Sequence, residues 1–258
     1  MELNGRPVAL EAVRALALTN IGHFTSMRVE GRRVRGLSLH LERLARDCRT
    51  VFGTDLDLDQ CRTYLRRAVT AQEGTFTVRV TVFDPNLGMQ DPAAAATPQI
   101  LITSRSSGEL SLPPLRVSAV PFVRDLPHVK HVGLFGALHA RRTAQLAGFD
   151  DALFYGPDNI VSEGGTWNVG FIDAEGAVVW PKADVLPGTT MALLQQHHDH
   201  QVQPVTLASV PTMQAAFATN VSIGVRAISA VDGTALPSEH PTLARLRETY
   251  LNVPGDEI

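Results

Sequence analysis

The order in which helical and strand-like patterns follow one another is the feature that most restricts how this chain can fold. An N-terminal half mixes alternating apolar strands with two amphipathic helices, and a C-terminal half is dominated by short strands and turns. A stretch with turn signals separates the halves. The pattern predicts an α/β (α+β) chain of two domains: a small α/β domain at 1–120, a linker at 121–127 and a larger strand-rich domain at 128–258.

Local signals predict the individual elements. Asn4-Gly5 is typical of a two-residue hairpin turn, and Gly53 is positioned to end the first helix. The turn-rich residues 84–98 are typical of a mobile loop. The predicted strands lie at 23–30, 75–83, 99–104, 115–122, 152–155, 160–162, 166–173, 177–180, 202–207, 216–220 and 224–229. The predicted helices lie at 38–51, after Asp57, at 133–146, from Thr189 or Thr190, at 207–215 and at 241–250.

Composition argues against several classes of function. The 258 residues are 44% hydrophobic and 19% charged, which suffices for a buried core, and the net charge of -3 offers no basic surface for nucleic acid. No apolar run is long enough to cross a bilayer, and residues 1–20 lack the pattern of a secretory signal, so no membrane partner is expected. Cys48 and Cys61 have the spacing of neither a metal site nor a redox pair, which favours a cytoplasmic location.

Lysine is scarce in this chain: of the 23 lysine and arginine residues, only Lys130 and Lys182 are lysines. A lysine that forms a Schiff base needs a lowered pKa, which burial or a neighbouring positive charge supplies. Lys130 lies between His128 and His131, before a predicted helix and at the junction of the two halves, so it is the stronger candidate. A solvated surface lysine is the alternative, and Lys182 in a polar loop fits that alternative better.

A carboxylate followed by two glycines is a second candidate. Glu163 ends a predicted strand and precedes Gly164 and Gly165. An ordinary turn with an exposed acid would explain this segment. Alternatively, the glycines allow the backbone to approach a ligand, and the carboxylate binds a cation such as a protonated pyridine nitrogen.

Three further groups of candidate binding residues lie on predicted helices. Thr189 and Thr190 follow a Pro-Gly pair at a helix start, where hydroxyls and N–H groups can bind an anion, although N-capping alone needs one threonine. Arg43 points away from the apolar stripe of the helix at 38–51, so its helical angle predicts a solvated side chain. His197–His200 are consecutive and point in different directions, which predicts a surface cluster rather than a metal site.

These signals become specific through their order, which extends along nearly the whole chain. The motifs are His40-Leu41-Glu42-Arg43-Leu44, a lysine that opens a helix (Lys130), Val161-Ser162-Glu163-Gly164, Leu186-Pro187-Gly188-Thr189-Thr190 and Phe217-Ala218-Thr219-Asn220. In this order they resemble the class IV aminotransferases, the fold-type IV pyridoxal-phosphate enzymes. That family includes branched-chain, D-amino-acid and (R)-amine transaminases and the aminodeoxychorismate lyases. The resemblance implies pyridoxal 5′-phosphate as cofactor, bound in an interdomain cleft, and a C-terminal domain shaped as a pseudo-barrel.

The resemblance also implies roles for individual residues. Lys130 would be the catalytic Schiff-base lysine and would carry the substrate proton, and Glu163 would pair with the pyridinium nitrogen. The cofactor-binding residues that it implies are Arg43, Glu163, Thr189, Thr190, Asn220 and Ser222, and it implies no metal ligand. Arg79 and Thr25 are expected to contact the substrate, Arg79 by receiving a carboxylate. A second subunit would close the site, so a homodimer is expected.

Departures from the family pattern bear on the substrate. Phe135 stands five residues after the lysine, where branched-chain enzymes have a tyrosine that contacts the ring hydroxyl of the cofactor. Phe24-Thr25-Ser26 and Lys130-His131 are closer to the lyases. Ser162-Glu163-Gly164 and Pro187-Gly188 are closer to the transaminases.

Two reactions therefore stay open. The first is transfer of an amino group between a D-amino acid or (R)-amine and a keto acid. The second is elimination of pyruvate from aminodeoxychorismate, which gives 4-aminobenzoate and needs no keto-acid acceptor. A member that binds the cofactor without turnover is a third possibility, against which an intact Lys130, Glu163 and Arg43 argue.

Overall fold

The computed structural model describes all 258 residues, which form six helices and sixteen strands. The helices are α1 (Leu10–Thr19), α2 (Leu37–Phe52), α3 (Leu58–Thr70), α4 (Phe135–Leu146), α5 (Thr189–His197) and α6 (Pro241–Asn252). The strands are β1 (Glu2–Leu3), β2 (Arg6–Pro7), β3 (His23–Glu30), β4 (Arg33–Arg35), β5 (Thr75–Phe83), β6 (Gln99–Ser106), β7 (Leu115–Pro121), β8 (Asp151–Tyr155), β9 (Val161–Gly164), β10 (Asn168–Ile172), β11 (Val178–Pro181), β12 (His200–Gln203), β13 (Ala215–Asn220), β14 (Gly224–Val231), β15 (Thr234–Ala235) and β16 (Gly255–Glu257).

The chain divides into two compact units whose bounds differ from the segments expected from the sequence. The first unit comprises Met1–Gly108, Val129–Gly133 and Pro254–Ile258, and the second comprises Glu109–His128 and Leu134–Val253. Strand β7 belongs to the second unit because it pairs with β8 and β14. The short segment that carries Lys130 belongs to the first unit because it hydrogen-bonds to β3 and to the loop before it. Long-range strand pairing therefore determines where each of the two units begins and ends.

The first unit is a seven-stranded sheet in the order β16-β4-β3-β5-β6-β1-β2, packed against α2 and α3. Alternation along β3 and β5 directs one row of side chains to the helices, as in a half-buried strand. Leu44 of α2 and Leu65 of α3 are fully buried in this core, and each contributes about 1.5–3 kcal/mol by leaving water. The side chain of Asp57 caps α3 by accepting from the N–H of Gln60 at 2.8 Å.

The second unit is a nine-stranded sheet in which six strands close into a ring. Strand β10 pairs with β13, and the ring continues through β14, β7, β8 and β9, which pairs back to β10. All five residues of β10 are buried, and the ring of Phe217 lies where a Cβ on Gly170 would stand. This closed arrangement is the pseudo-barrel that the family resemblance implied.

Most predicted elements are present, with five differences. Helix α1 was not predicted, and neither were the short strands β4, β15 and β16. The helix expected at 207–215 is a 3₁₀ segment, Leu207–Thr212, with Pro211 inside it. Residues 84–98 form no helix or strand, and the carboxylate of Asp84 accepts from the N–H groups of Asn86 and Thr97. None of the helices combines the length and the apolar character needed to cross a membrane.

Candidate active site

Lys130 is held by its backbone in the first unit. Its carbonyl oxygen accepts from the N–H of Phe24 at 2.8 Å, and the N–H of Val132 donates to the carbonyl of Gly22 at 2.9 Å. The N–H of Lys130 itself donates to Oδ2 of Asp47 at 2.9 Å. Residues around Lys130 therefore continue the sheet along β3, and both polar backbone groups of the lysine are satisfied.

The amine of Lys130 and the guanidinium of Arg79 both lie on the ring of Phe24. Lys130 Nζ is 4.9 Å from the ring centroid, and Arg79 Cζ is 3.6 Å from it. Burial, together with the positive charge of Arg105, lowers the pKa of Arg79. Its Nε donates to the hydroxyl of Thr81 at 3.1 Å, which orients the rest of the fork. Two cationic groups beside one ring form an environment that suits a carboxylate.

Arg43 is buried, contrary to the solvated position that its helical angle predicted. Only 5% of it is exposed. Its Nη2 donates to the hydroxyl of Thr25 and, at 3.1 Å, to Nδ1 of His40, and its Nε is buried without a hydrogen-bond partner. Burial lowers the pKa of Arg43 to about 10, and the charge of Asp47 acts in the opposite direction. Because these hydrogen-bond partners are neutral, the guanidinium suits a bound anion such as phosphate.

His40 stays neutral in this network. Burial, and then the charges of Arg43 and Lys130, lower its pKa well below the usual value. Since Arg43 can only donate, Nδ1 of His40 is the acceptor and Nε2 carries the proton. The hydroxyl of Thr25 is fully buried and lies 2.7 Å from the same Nδ1. Thr25 therefore contacts Arg43 and His40, an arrangement that favours positioning of Arg43 over direct contact with a substrate.

Glu163 lies in the second unit, at one end of a row of facing side chains that continues through Asn168 to Thr219. It is 3% exposed, and its Oε2 accepts from the N–H of Leu186 at 3.3 Å. Oε1 lies 3.6 Å from Nε of Arg124, which is also buried. Asn168 is directly opposite Glu163 on one side and Thr219 on the other, and directly opposite residues face the same side of a sheet. The carboxylate is thus buried and shared with one cation, not exposed in a turn.

The glycines after Glu163 are closely packed by neighbouring side chains. A Cβ on Gly164 would stand 2.0 Å from the indole ring of Trp167. Nε1 of Trp167 donates to Oδ2 of Asp151 at 2.9 Å, so the indole cannot move away easily. A Cβ on Gly165 would stand 3.1 Å from the same carboxylate of Asp151. Side-chain packing is therefore one reason for these glycines, and close approach of the backbone to a ligand stays a prediction.

The start of α5 has the features of an anion site. Its N-cap residue, Gly188, supplies no side-chain cap for the N–H groups of the first turn. The hydroxyls of Thr190 and Thr219 are both buried without a hydrogen-bond partner, and Thr189 is 5% exposed. Orphaned buried hydroxyls beside a helix N-terminus fit a phosphate group. Thr219 lies in the Phe-Ala-Thr-Asn motif, yet the sequence alone did not distinguish it from its neighbour.

Asn220 and Ser222, both expected to bind the cofactor, lie in one loop that the amide of Asn220 organises. Oδ1 of Asn220 accepts from the N–H groups of Ser222 and Ile223 at 2.7 and 3.1 Å, and Nδ2 donates to the carbonyl of Thr166 at 2.9 Å. The amide of Asn220 thus shapes the loop, and Ser222 is half-buried in it.

Elsewhere in the second unit, Lys182 is exposed, and no group of three or more His, Cys, Asp or Glu side chains could hold a metal ion.

Three of these residues, His40, Asp47 and Asn168, were not predicted as functional, although His40 lies in a quoted motif. His40, Arg43 and Asp47 are buried in a row on α2, beside the apolar stripe. Their spacing places them on one helix face, which is a signal that the sequence does contain. Asn168 donates from Nδ2 to the carbonyl of Leu186 at 2.8 Å, a contact that no local pattern indicates.

Solved structures of low sequence identity share this fold. A branched-chain aminotransferase from the thermophilic archaeon Thermoproteus uzoniensis, with norvaline, has a TM-score of 0.85 at 19% identity, covering 97% of this chain and 92% of that one. A putative 4-amino-4-deoxychorismate lyase from Legionella pneumophila has a TM-score of 0.80 at 22% identity, with 96% of each chain covered. A PLP-bound hypothetical aminotransferase from Mycobacterium tuberculosis has a TM-score of 0.79 at 17% identity, covering 92% and 90%.

Comparison by sequence is more specific. A search among curated protein sequences finds no match. The sequence model of the family described as amino-transferase class IV matches residues 22–231, which is most of the chain and includes Arg43, Lys130, Glu163 and the start of α5. The chain therefore belongs to the class IV aminotransferase family, whose members are pyridoxal-phosphate-dependent enzymes.

Proposed function

We propose that this protein is a transaminase that moves an amino group between a D-amino acid or (R)-amine and a keto acid. The reacting amine is that of Lys130. Hydrogen bonds to β3 and to the carboxylate of Asp47 fix the backbone of this lysine. When bound, pyridoxal phosphate supplies an aldehyde for covalent attachment and an electron-withdrawing ring. Lys130 accepts a proton from the substrate α-carbon and returns it, as a positioned general base does.

The remaining polar groups bind and orient the cofactor in this proposal. Arg43, with one edge of its guanidinium directed by Thr25 and His40, carries a buried positive charge for the phosphate. Thr189, Thr190 and the N–H groups at the start of α5 provide further donors. Glu163 keeps a proton at the pyridine nitrogen through its buried negative charge. Asn220 and Ser222 shape the adjoining loop and contribute through the backbone.

One observation carries the choice of substrate class. Arg79 and Lys130 share the ring of Phe24 in the same unit, so a cation that can receive a carboxylate lies near the reacting amine. An amino acid and a keto acid both carry such a carboxylate. A guanidinium whose Nε is held by Thr81 keeps its terminal nitrogens for a two-point contact. Arg79 therefore favours acids over simple amines as the main substrates.

The lack of a phenol hydroxyl at Phe135 supports a D-amino acid or (R)-amine as the amino donor. Phe135 begins α4, is 79% exposed and cannot provide the phenol that branched-chain enzymes use. The lyase is the second candidate, since Phe24-Thr25-Ser26 resembles the lyase sequence and Arg79 would serve the carboxylate of that substrate equally well. In either reaction Lys130 and Glu163 have the same tasks.

The test is the near-visible absorption of the purified protein. With pyridoxal phosphate we expect a band that Lys130→Ala abolishes and that Lys182→Ala, the matched control in an exposed loop, retains. D-Alanine or (R)-1-phenylethylamine should bleach this band, and L-leucine should leave it unchanged. Bleaching by L-leucine alone would overturn the proposed donor class. Release of pyruvate from aminodeoxychorismate without any keto acid would select the lyase instead.

We also propose a homodimer in the cytoplasm. Cys48 and Cys61 are buried, free thiols, and burial raises their pKa values to about 11 and about 12, which suits inert thiols in a reducing compartment. Light scattering of the purified protein measures the assembly, and a monomer at catalytic concentrations would refute the dimer.

A further inference from the structure

Asp47 is a fully buried carboxylate whose two oxygens have separate tasks. Its Oδ2 accepts from the N–H of Lys130 at 2.9 Å. Its Oδ1 accepts from Arg46, at 2.7 Å from Nη2 and 3.0 Å from Nε. Arg46 is about half exposed, with 46% of its side chain accessible. The carboxylate therefore joins a solvent-facing cation to the backbone of the candidate catalytic lysine.

A backbone N–H needs only a neutral acceptor, and a buried carboxylate carries a large desolvation cost unless it is well paired. The carboxylate of Asp47 is thus a stronger acceptor than the N–H of Lys130 needs in order to be hydrogen-bonded, and its burial costs more desolvation free energy than that of a neutral acceptor. Charge-assisted hydrogen bonds are shorter and stronger than neutral ones. The contact holds the N–H of Lys130, and the N–H of Phe24 holds the lysine carbonyl. Both polar groups of the Lys130 backbone are consequently hydrogen-bonded.

We propose that Asp47 is a positioning residue that fixes the backbone of Lys130 and thereby presents the lysine amine in its reactive place beside Phe24. The inference rests on the proposed function, in which Lys130 carries the cofactor. Asp47 touches neither cofactor nor substrate and acts through Lys130. Misplacement of a reacting group by about 1 Å can cost about 100-fold in rate, so a loosened lysine backbone should lower the rate of catalysis more than the affinity for substrate.

The first test uses the full chain without cofactor and measures amide hydrogen exchange at Lys130. In Asp47→Ala the N–H of Lys130 loses its acceptor, and we expect its exchange to accelerate by about tenfold or more. Asp47→Asn keeps an oxygen acceptor and should restore most of the protection. Asp151→Ala is the matched control, because it removes another buried carboxylate, one that accepts from Trp167, and it should leave exchange at Lys130 unchanged. Equal exchange at Lys130 in the wild type and in Asp47→Ala would overturn the inference.

The second test uses the holoenzyme and separates kcat from KM. We expect kcat of Asp47→Ala to fall by about 10- to 100-fold, with KM for the amino donor changed by less than about threefold. Asp47→Asn should recover most of kcat, which a general loss of folding would not produce. If Asp47→Ala fails to fold, Asp47→Ser replaces it. Its shorter acceptor should give a kcat below that of Asp47→Asn, and a kcat equal to that of the wild type would overturn the inference.

The two proposals fail in different ways. Retention of the cofactor band by Lys130→Ala would refute the role of Lys130 and with it the catalytic part of this inference. A lost band in Lys130→Ala, together with unchanged kcat and unchanged exchange in Asp47→Ala, would refute only the role of Asp47. Faster exchange with lower kcat, rescued by Asp47→Asn, would establish the positioning role.

Discussion

His23 should make the first unit sensitive to acid. The imidazole is fully buried on β3, and neither ring nitrogen has a hydrogen-bond partner. Its ring lies 5.9 Å from that of Phe52. Burial, and then the charge of Arg46, lower the pKa of His23 to about 3. The folded protein therefore holds this side chain neutral at pH values where the unfolded chain protonates it.

The magnitude follows from linkage between protonation and folding. The unfolded pKa is about 6.5, so between pH 6.5 and pH 3 the unfolded state binds a proton that the folded state does not. The stability contributed by the neutral imidazole is fully present above the unfolded pKa and is lost as the pH falls. At pH 5 the loss from this one group is about 2 kcal/mol. That is a large fraction of the free energy of unfolding of a typical domain.

The assay compares the wild type with His23→Met, an apolar side chain of similar volume, by urea unfolding without cofactor at pH 7.5 and pH 5. Far-UV circular dichroism follows both units. Fluorescence of Trp167 and Trp180 follows the second unit, because the first unit contains no tryptophan. We expect the wild type to lose about 2 kcal/mol more than the variant between the two pH values, and only in the circular dichroism signal. His40 is present in both proteins, so its own lowered pKa cancels in the comparison.

Equal losses in the two proteins would refute the reasoning, because they would mean that His23 is protonated or hydrated in the folded state. A larger loss in the variant would refute it as well. At pH 7.5 the two proteins should differ by less than about 1.5 kcal/mol, as expected for a swap that conserves volume.

Three further predictions concern the second unit and the substrate. Gly188→Ala places a Cβ 2.0 Å from Oδ1 of Asn168, so it should weaken cofactor affinity by about tenfold, and an added Asn168→Ala should restore part of that loss in an equilibrium titration. Thr190→Val removes an orphaned buried hydroxyl, so calorimetry without cofactor should show equal or higher thermal stability, while cofactor affinity falls by about tenfold. Arg79→Met should raise KM for a keto acid by about 10- to 100-fold, with no change in the half-reaction of (R)-1-phenylethylamine, which has no carboxylate.

Long elements were predictable because their own residues determine them. The alternation of β3 and β5 appears directly in the sequence, and both strands have the predicted bounds. Helix α1 was missed because Ala9 supplies no side-chain cap and the apolar residues lie all around the helix. The three-residue strand β16 exists only because it pairs with β4 across more than two hundred residues, which no local pattern encodes, whereas β4 also forms a hairpin with β3.

The position of Arg43 illustrates a second limit of sequence reasoning. A helical angle places the side chain away from the apolar stripe, but it does not reveal what covers that face. The hydroxyl of Thr25, from a strand, and the ring of His40 cover it. The family motif named Arg43 as a cofactor-binding residue, whereas residue-by-residue reasoning predicted a solvated side chain, and the side chain is buried. Polar residues at helical spacing can form a buried row of their own, and only their tertiary partners distinguish that row from a surface.

The segment Glu163–Asn168 fixes the position of the Glu163 carboxylate in the second unit. Trp167 needs a glycine at 164, and Asn168 needs one at Gly188, since a Cβ at either place would stand 2.0 Å from a neighbouring side-chain atom. Asn168 binds the carbonyl of Leu186 and Glu163 binds its N–H, so one hairpin fixes both ends of the residue that leads into α5. Consequently the carboxylate proposed for the ring nitrogen and the helix start proposed for the phosphate keep a constant separation. Two anchors on a shared rigid hairpin define the distance between the two ends of a cofactor better than either anchor on a loop.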